Sequence, residues 1–156
     1  MAEPYRIRPA HPADLPAIAA GERECFSDPW SQGSIAELFN NETVLGLVAE
    51  SGGSDSRLAG YVFARAIAGE GEILNIAVLP ADRGRGVGGQ LLDRVLGDLD
   101  GRGVGSVFLE VRESNEAARR LYLARGFRPV GLRTDYYRKP RENALVLRRE
   151  LKSALN

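Results

Sequence analysis

The stretch EILNIAVLPADRGRGVGGQLLDRVLGDL (72–99) constrains this fold more than any other part of the chain. Its first residues, EILNIAVLP (72–80), form an apolar run short enough for a buried strand. Further on, Val87, Leu91, Leu92, Val95, Leu96 and Leu99 recur at helical spacing. Between the two, DRGRGVGGQ (82–90) packs four glycines and two arginines into nine positions. A strand, a glycine loop and a helix in that order turn unpaired N–H groups and the positive end of the helix dipole toward any anion that docks there. The loop is therefore either a phosphate cradle or a flexible turn.

The remaining pattern alternates in the same way. A strand is expected over Tyr5–Arg8. Asp14 is a candidate N-cap for a helix with Pro16 in its first turn, and Leu15, Ile18, Ala19, Glu22 and Phe26 mark its face. After the turn CFSDPWS (25–31), a second helix runs through Ile35, Leu38 and Phe39. Its cap is either Ser31, or Ser34 with Glu37 in a capping box. Val44–Glu50 and Arg57–Ile67 read as strands around the turn-rich SGGSDS. VGSVFLEV (104–111) reads as a buried strand, and SNEAARRLYLARG (114–126) as a helix capped by Ser114 and stopped by Gly126. Strands over Phe127–Thr134 and Ala144–Glu150 complete the order β-α-α-β-β-β-α-β-α-β-β. The expected class is mixed α/β, a central sheet of about seven strands flanked by about four helices.

Composition narrows what such a fold can do. At 156 residues, 44% of them hydrophobic, the chain is expected to form one domain (1–156) with a substantial core. No apolar stretch approaches the roughly 20 residues of a membrane span. The segment MAEPYRIRPAHPAD has no apolar block of the signal-peptide kind. One cysteine, Cys25, makes no internal disulfide, and with one histidine, His11, it builds no metal cluster. The expectation is a cytoplasmic protein with no metal and no membrane partner. Formal net charge is zero, so no bulk attraction to nucleic acid is implied.

GRGVGG (84–89) satisfies the dinucleotide pattern G-x-G-x-x-G, with Glu110 about twenty residues on. In such a site the first glycine follows its strand almost at once, and that strand opens the domain. Here Pro80-Ala81-Asp82-Arg83 intervenes, and much of the chain comes first. A Walker loop is excluded, because no Lys-Ser/Thr pair follows the glycines.

The alternative pattern, Arg83-x-x-Gly86-x-Gly88 directly before a helix, resembles the pyrophosphate loop of the GNAT acetyltransferases, which bind acetyl-CoA. Gly86 and Gly88 let the main chain approach a diphosphate with no side chain in the way, and Arg83 and Arg85 add charge-assisted contacts. With Gly84, Val87 and Gly89 they make the expected cofactor-binding segment. The resemblance runs along the whole chain. Within the family it points to the bacterial ribosomal-protein-alanine N-acetyltransferases, the RimI type. It rests on CFSDPWS (25–31), NIAVLPADRGRGVG (75–88), LEVRESNEAARRLYLARGF (109–127) and DYYRKPRENALVL (135–147). One departure is visible. The family pattern implies Glu-Asp-Ala where this chain has Glu142-Asn143-Ala144, which puts a local contact in question.

Acyl transfer to an amine needs a deprotonated nucleophile, a held thioester, a stabilised oxyanion and a proton for the departing thiolate. A free α-amino group, with a pKa of roughly 7.7–8.0, yields its proton to a modest base or a water chain near neutrality. Glu110 is the candidate base. Val107, Leu109 and Val111 share one face of its strand, and Phe108 and Glu110 the other. From the residues alone, that carboxylate is either at a wet strand end or at work. Tyr122 is the candidate acid, since a phenol of pKa about 10 suits a thiolate whose conjugate acid lies near 8.5. By spacing alone it reads first as a core tyrosine, on the i,i+4 face it shares with Ala118.

The resemblance implies a glutamate and tyrosine paired at these positions. It also implies that Asn115 and Tyr122 touch the CoA arm, and that Ile76, Ala77 and Val78 offer backbone groups to the pantetheine and the thioester carbonyl. Asn75 either faces the incoming amine or satisfies a bulge. Phe26, Trp30, Tyr136 and Tyr137 either wall the way in for a peptide N-terminus or cap the core. Cys25 reads as a small buried hydrophobe, because a cysteine nucleophile wants a positioned histidine and His11 lies in a proline-rich segment.

Together these implications describe an enzyme that moves acetyl from acetyl-CoA to an α-amino group by direct transfer in a ternary complex. The expected acceptor is the N-terminal alanine of a small-subunit ribosomal protein. Two alternatives stay open: the same chemistry on a small amine, and a non-catalytic acyl-CoA-binding module. Polycationic acceptors call for an acidic channel, whereas CFSDPWS and DYYRKP offer aromatics with few acids. The presence of both Glu110 and Tyr122 speaks against a module that only binds.

Overall fold

Local chemistry accounts for most element boundaries in the computed structural model, which describes residues 5–151. Strand β1 (Tyr5–Pro9) leads through a single 3-10 turn, Pro12–Asp14, into α1 (Leu15–Cys25). Asp14 stands at the N-cap position of α1 but makes no side-chain capping bond to it. Pro16 removes one of the two N–H groups that such a bond could use. The Asp14 carboxylate instead accepts from the backbone N–H of His11 at 2.7 Å and pairs with Arg8 at 2.8 Å. Helix α2 (Gln32–Phe39) is capped by Ser31, whose hydroxyl accepts from the N–H of Ser34 at 3.0 Å, which decides between the two expected caps.

Strands β2 (Val44–Ser51) and β3 (Leu58–Ile67) form the expected antiparallel hairpin, and β4 (Glu70–Val78) follows. Helix α3 (Val87–Gly101) buries all six of the apolar residues that its spacing marked. Strand β5 (Ser106–Arg112) alternates, with Val107, Leu109 and Val111 buried and Phe108 and Glu110 half-buried. Helix α4 (Glu116–Ala124) starts one residue later than Ser114 would place it. Its cap is Asn115, whose Oδ1 accepts from Ala118 at 3.1 Å, while the N–H of Ser114 donates to Glu142 at 2.6 Å. Gly126, at φ +89°, ends it in the left-handed conformation that a side chain resists.

Strands β6 (Arg128–Tyr137) and β7 (Glu142–Glu150) run closer together in sequence than expected, so Tyr136 and Tyr137 belong to a strand. Arg112 holds the intervening turn through the carbonyls of Pro140 and Arg138, each at 2.9 Å.

The seven strands take the order β1-β2-β3-β4-β5-β7-β6. All recorded pairings are antiparallel except β4 with β5, which pair in parallel at Glu70, Gly71 and Glu72. The sheet is therefore mixed, with four α-helices among the described residues, in line with the expected class. The chain gathers into two compact units. One comprises the chain up to Arg65 with Leu74–Gly97; the other comprises Ala66–Ile73 and the chain from Asp98 onward. In the first, Ile18, Ile35, Val48, Tyr61, Phe63 and Ala77 form a common core. In the second, Val107, Leu109, Tyr122, Phe127 and Leu147 are among the buried side chains. Among the described residues, no helix is long and apolar enough to cross a membrane.

Candidate active site

In the first unit, β4 ends at Val78, and the turn Pro80–Asp82 delivers the chain to the glycine loop. Gly84 and Gly86 adopt φ +78° and +82°, and a Cβ built on either would meet nothing within 4 Å. These glycines are thus needed for backbone conformation rather than for room inside the protein. The first α3 bond runs from the N–H of Gln90 to the carbonyl of Gly86 at 3.0 Å. The N–H groups of Val87, Gly88 and Gly89 precede that ladder and have no partner within it, the arrangement that favours an anion at a helix N-terminus. Arg83 donates its Nε to the carbonyl of Val78 at 2.9 Å, and the Cys25 thiol donates to the same oxygen at 3.6 Å. Burial pushes the Cys25 thiol above its ordinary pKa, so it stays protonated at neutral pH.

The same unit holds a carboxylate whose environment the helical face left unread. Glu22 is 1% exposed although it lies on the apolar stripe of α1. Its Oε2 accepts from the Tyr61 hydroxyl at 2.5 Å and from Asn75 Nδ2 at 2.6 Å, and its Oε1 from the backbone N–H of Trp30 at 3.0 Å. Asn75 thus points its amide at Glu22, and CFSDPWS is anchored to the core by its tryptophan main chain. Trp30 packs against the common core, whereas Phe26 is exposed. Burial, then hydrogen bonding to Glu22, pushes the Tyr61 phenol far above its ordinary pKa. The clue in the sequence was a charged residue placed among Leu15, Ile18 and Ala19.

In the second unit, Glu110 projects from β5. It forms an ion pair with Arg133 and accepts from the Tyr136 hydroxyl at 3.2 Å. Both partners reach it because β6 and β7 lose register between Arg133 and Tyr137, where Asp135 takes φ +52°. Such irregularities re-aim side chains. Asn143 secures this one: its Oδ1 accepts from the N–H of Asp135 at 2.9 Å, and its Nδ2 donates to Glu113 at 3.0 Å. An aspartate would keep the first bond but set a second carboxylate against Glu113, where Asn143 donates instead.

The rings of Tyr136 and Tyr137 meet edge to face at 5.1 Å between centroids, and the Arg112 guanidinium lies 4.4 Å over Tyr137. Tyr122 is 4% exposed and packs edge to face on Phe127 at 5.8 Å. Burial pushes its phenol well above the ordinary tyrosine pKa, with the neighbouring Tyr137 adding to the shift. It is therefore fully in the proton-donating form at neutral pH. Asn115 spends its Oδ1 on capping α4.

A mixed seven-stranded sheet with a glycine loop at the start of α3 is the frame of an acyl-CoA-dependent transferase class, and the family match places the chain in that class. Residues 15–127 match the acetyltransferase (GNAT) family, and the chain belongs to that family. It is an N-acetyltransferase with acetyl-CoA as acetyl donor. It is 35% identical to the [ribosomal protein bS18]-alanine N-acetyltransferase of Salmonella typhimurium, over 86% of this chain and 89% of that protein. Against the enzyme of the same description from Haemophilus influenzae it is 37% identical, over 81% of this chain and 85% of the relative. The crystal structure of the ribosomal-protein-S18-alanine N-acetyltransferase from Escherichia coli superposes with a TM-score of 0.86 at 30% identity, covering 94% of this chain and 93% of that one.

Proposed function

We propose that this chain acetylates the α-amino group of a protein N-terminus, with the N-terminal alanine of a ribosomal protein of the bS18 kind as its acceptor. Transfer is direct, from acetyl-CoA to the amine within a ternary complex, and residues 1–156 act as one cytoplasmic acetyltransferase domain. The observation that carries this reading is the similarity to bS18-alanine N-acetyltransferases along most of both chains.

The family resemblance supplies the roles, and the chemistry of several residues suits them. Arg83, Arg85 and the backbone of Gly84, Gly86, Val87, Gly88 and Gly89 hold the pyrophosphate, which suits the left-handed glycines and the open start of α3. Backbone groups of Ile76, Ala77 and Val78 hold the pantetheine and polarise the thioester carbonyl; one positioned donor of this kind is worth roughly 3 kcal/mol. Tyr122 protonates the departing thiolate, and its buried, neutral phenol suits that task. Glu110 receives the proton from the amine. Asn115 touches the CoA arm, and Phe26, Trp30, Asn75, Tyr136 and Tyr137 contact the acceptor.

The test uses two peptides beginning with alanine, one with a blocked terminus and an internal lysine, the other with a free terminus and no lysine. Thiol release from acetyl-CoA should be fast only with the free terminus, because a lysine ammonium of pKa about 10.4 is mostly charged at neutral pH. Faster acetylation of the blocked peptide would refute the N-terminal reading. In Glu110→Gln the rate defect should shrink as pH rises and the amine deprotonates unaided. A pH-independent defect would remove Glu110 as the base.

A further inference from the structure

Asp82 closes the turn that leads into the glycine loop and is 2% exposed. A buried carboxylate is strongly unfavourable unless it is paired. Its Oδ2 accepts from Arg57 Nη1 at 2.6 Å, and its Oδ1 from Arg57 Nη2 at 3.0 Å and from the Tyr5 hydroxyl at 2.9 Å. Arg57 thus grips it with a bidentate fork from the residue just before β3, and Tyr5 reaches it from the start of β1. The Arg57 guanidinium holds the Asp82 carboxyl below the ordinary range, so it is anionic at neutral pH. Arg85, three positions on, interacts with the same pair, with the Asp82 charge and with the Tyr5 hydroxyl. Two arginines therefore face one carboxylate, and the bidentate fork belongs to Arg57. A pyrophosphate site needs the guanidinium of its loop arginine directed at the ligand.

We propose that Arg57 is a positioning residue for cofactor binding: by occupying both Asp82 oxygens with its fork, it weakens the hold of Asp82 on Arg85, so that Arg85 can turn to the pyrophosphate. The proposal rests on the reading of residues 83–89 as the pyrophosphate loop. Without Arg57, Asp82 captures Arg85 and the ligand loses a charge-assisted contact. Asp82 itself contributes nothing favourable to the cofactor, so the sign of its own substitution is diagnostic.

The experiment is calorimetric titration of the full chain with CoA, with thermal unfolding run in parallel. Arg57→Met should weaken CoA binding about tenfold, the worth of one charge-assisted contact. Asp82→Asn should bind CoA at least as tightly as the unmodified chain, although it melts lower. The double variant Arg57→Met/Asp82→Asn should recover affinity to within about twofold, and in an Arg85→Ala background Arg57→Met should cost less than about threefold.

A purely structural staple predicts the opposite pattern: weaker CoA binding in Asp82→Asn and no recovery in the double variant. Either result overturns the proposal, as does a tenfold loss that persists without Arg85. Should Arg57→Met fail to fold, Asp82→Asn and the double variant still decide, because neither leaves a buried unpaired charge. An unmodified chain that binds no CoA would overturn the loop assignment, and this proposal with it. An unmodified chain that binds CoA while folded Arg57→Met binds equally well would overturn the proposal alone.

Discussion

Replacing Glu22 with glutamine should cost both stability and acceptor binding, by amounts that its three hydrogen bonds set. A carboxamide has one acceptor oxygen where the carboxylate has two. Turned toward Tyr61 and Asn75 it keeps those bonds but sets its NH₂ against the N–H of Trp30, donor against donor. The stranded N–H costs roughly 1–3 kcal/mol, and the two surviving bonds each weaken by about 1 kcal/mol on passing from charge-assisted to neutral. The variant also avoids part of the unfavourable burial of a charge, an offset of a few kcal/mol. The balance is a net loss of about 2 kcal/mol, or roughly 4–8 °C in Tm for a chain of this size. Losing the Trp30 anchor frees CFSDPWS, so the peptide KM should rise several-fold while the acetyl-CoA KM stays level. Thermal unfolding and two-substrate kinetics measure both. An unchanged Tm with an unchanged peptide KM would refute the anchoring role. A Tm above that of the unmodified chain would show that burial of the charge outweighs its hydrogen bonds.

Tyr122→Phe keeps the ring packed on Phe127 and deletes the acid, so kcat should fall about 10²–10⁴-fold with Tm little changed; a near-normal kcat would make Tyr122 a core residue only. Cys25→Ser should retain most activity, since the thiol is held protonated and direct transfer needs no acetyl-enzyme; a kinetically competent acetyl-Cys25 would contradict this. Stability should fall in alkali. Burial, then Glu110, pushes the Tyr137 phenol up to about 12, so its contribution is whole below its unfolded value near 10 and is lost as pH rises through 12. Tyr61 and Tyr122 are shifted in the same direction. Denaturant midpoints from pH 8 to 12 should drop less steeply in Tyr137→Phe, and an unchanged slope would rule out its part in the drop.

Much of the architecture was legible because it depends on local signals. The period of Val87, Leu91, Val95 and Leu99 marked the buried face of α3, the alternation in VFLEV placed Glu110 opposite the β5 core face, and Gly126 marked the end of α4. The local errors were also errors of geometry. Ser114 and Asp14 have the chemistry of caps, but neither caps its α-helix here: the Ser114 N–H is bonded to Glu142, and the Asp14 carboxylate pairs with Arg8 and closes the capping box of the turn Pro12–Asp14 through the His11 N–H. A sequence names the residues able to make such a bond without saying which competing partner wins.

The partners of the site were of another kind. Tyr5 meets Asp82 across 77 positions, Asn75 meets Glu22 across 53, and Tyr136 meets Glu110 across 26. No periodicity or turn rule spans such separations. The sequence by itself determined the strand, glycine loop and helix, the alternation of elements and the family to which they belong, because propensity, period and turn chemistry act over a few neighbouring residues. Only the tertiary structure decided that Glu22 anchors Trp30, that Arg133 pairs with Glu110 and that Arg57 grips Asp82. Those pairings exist because packing buries each carboxylate, and a buried charge holds its place only where the fold brings it a donor.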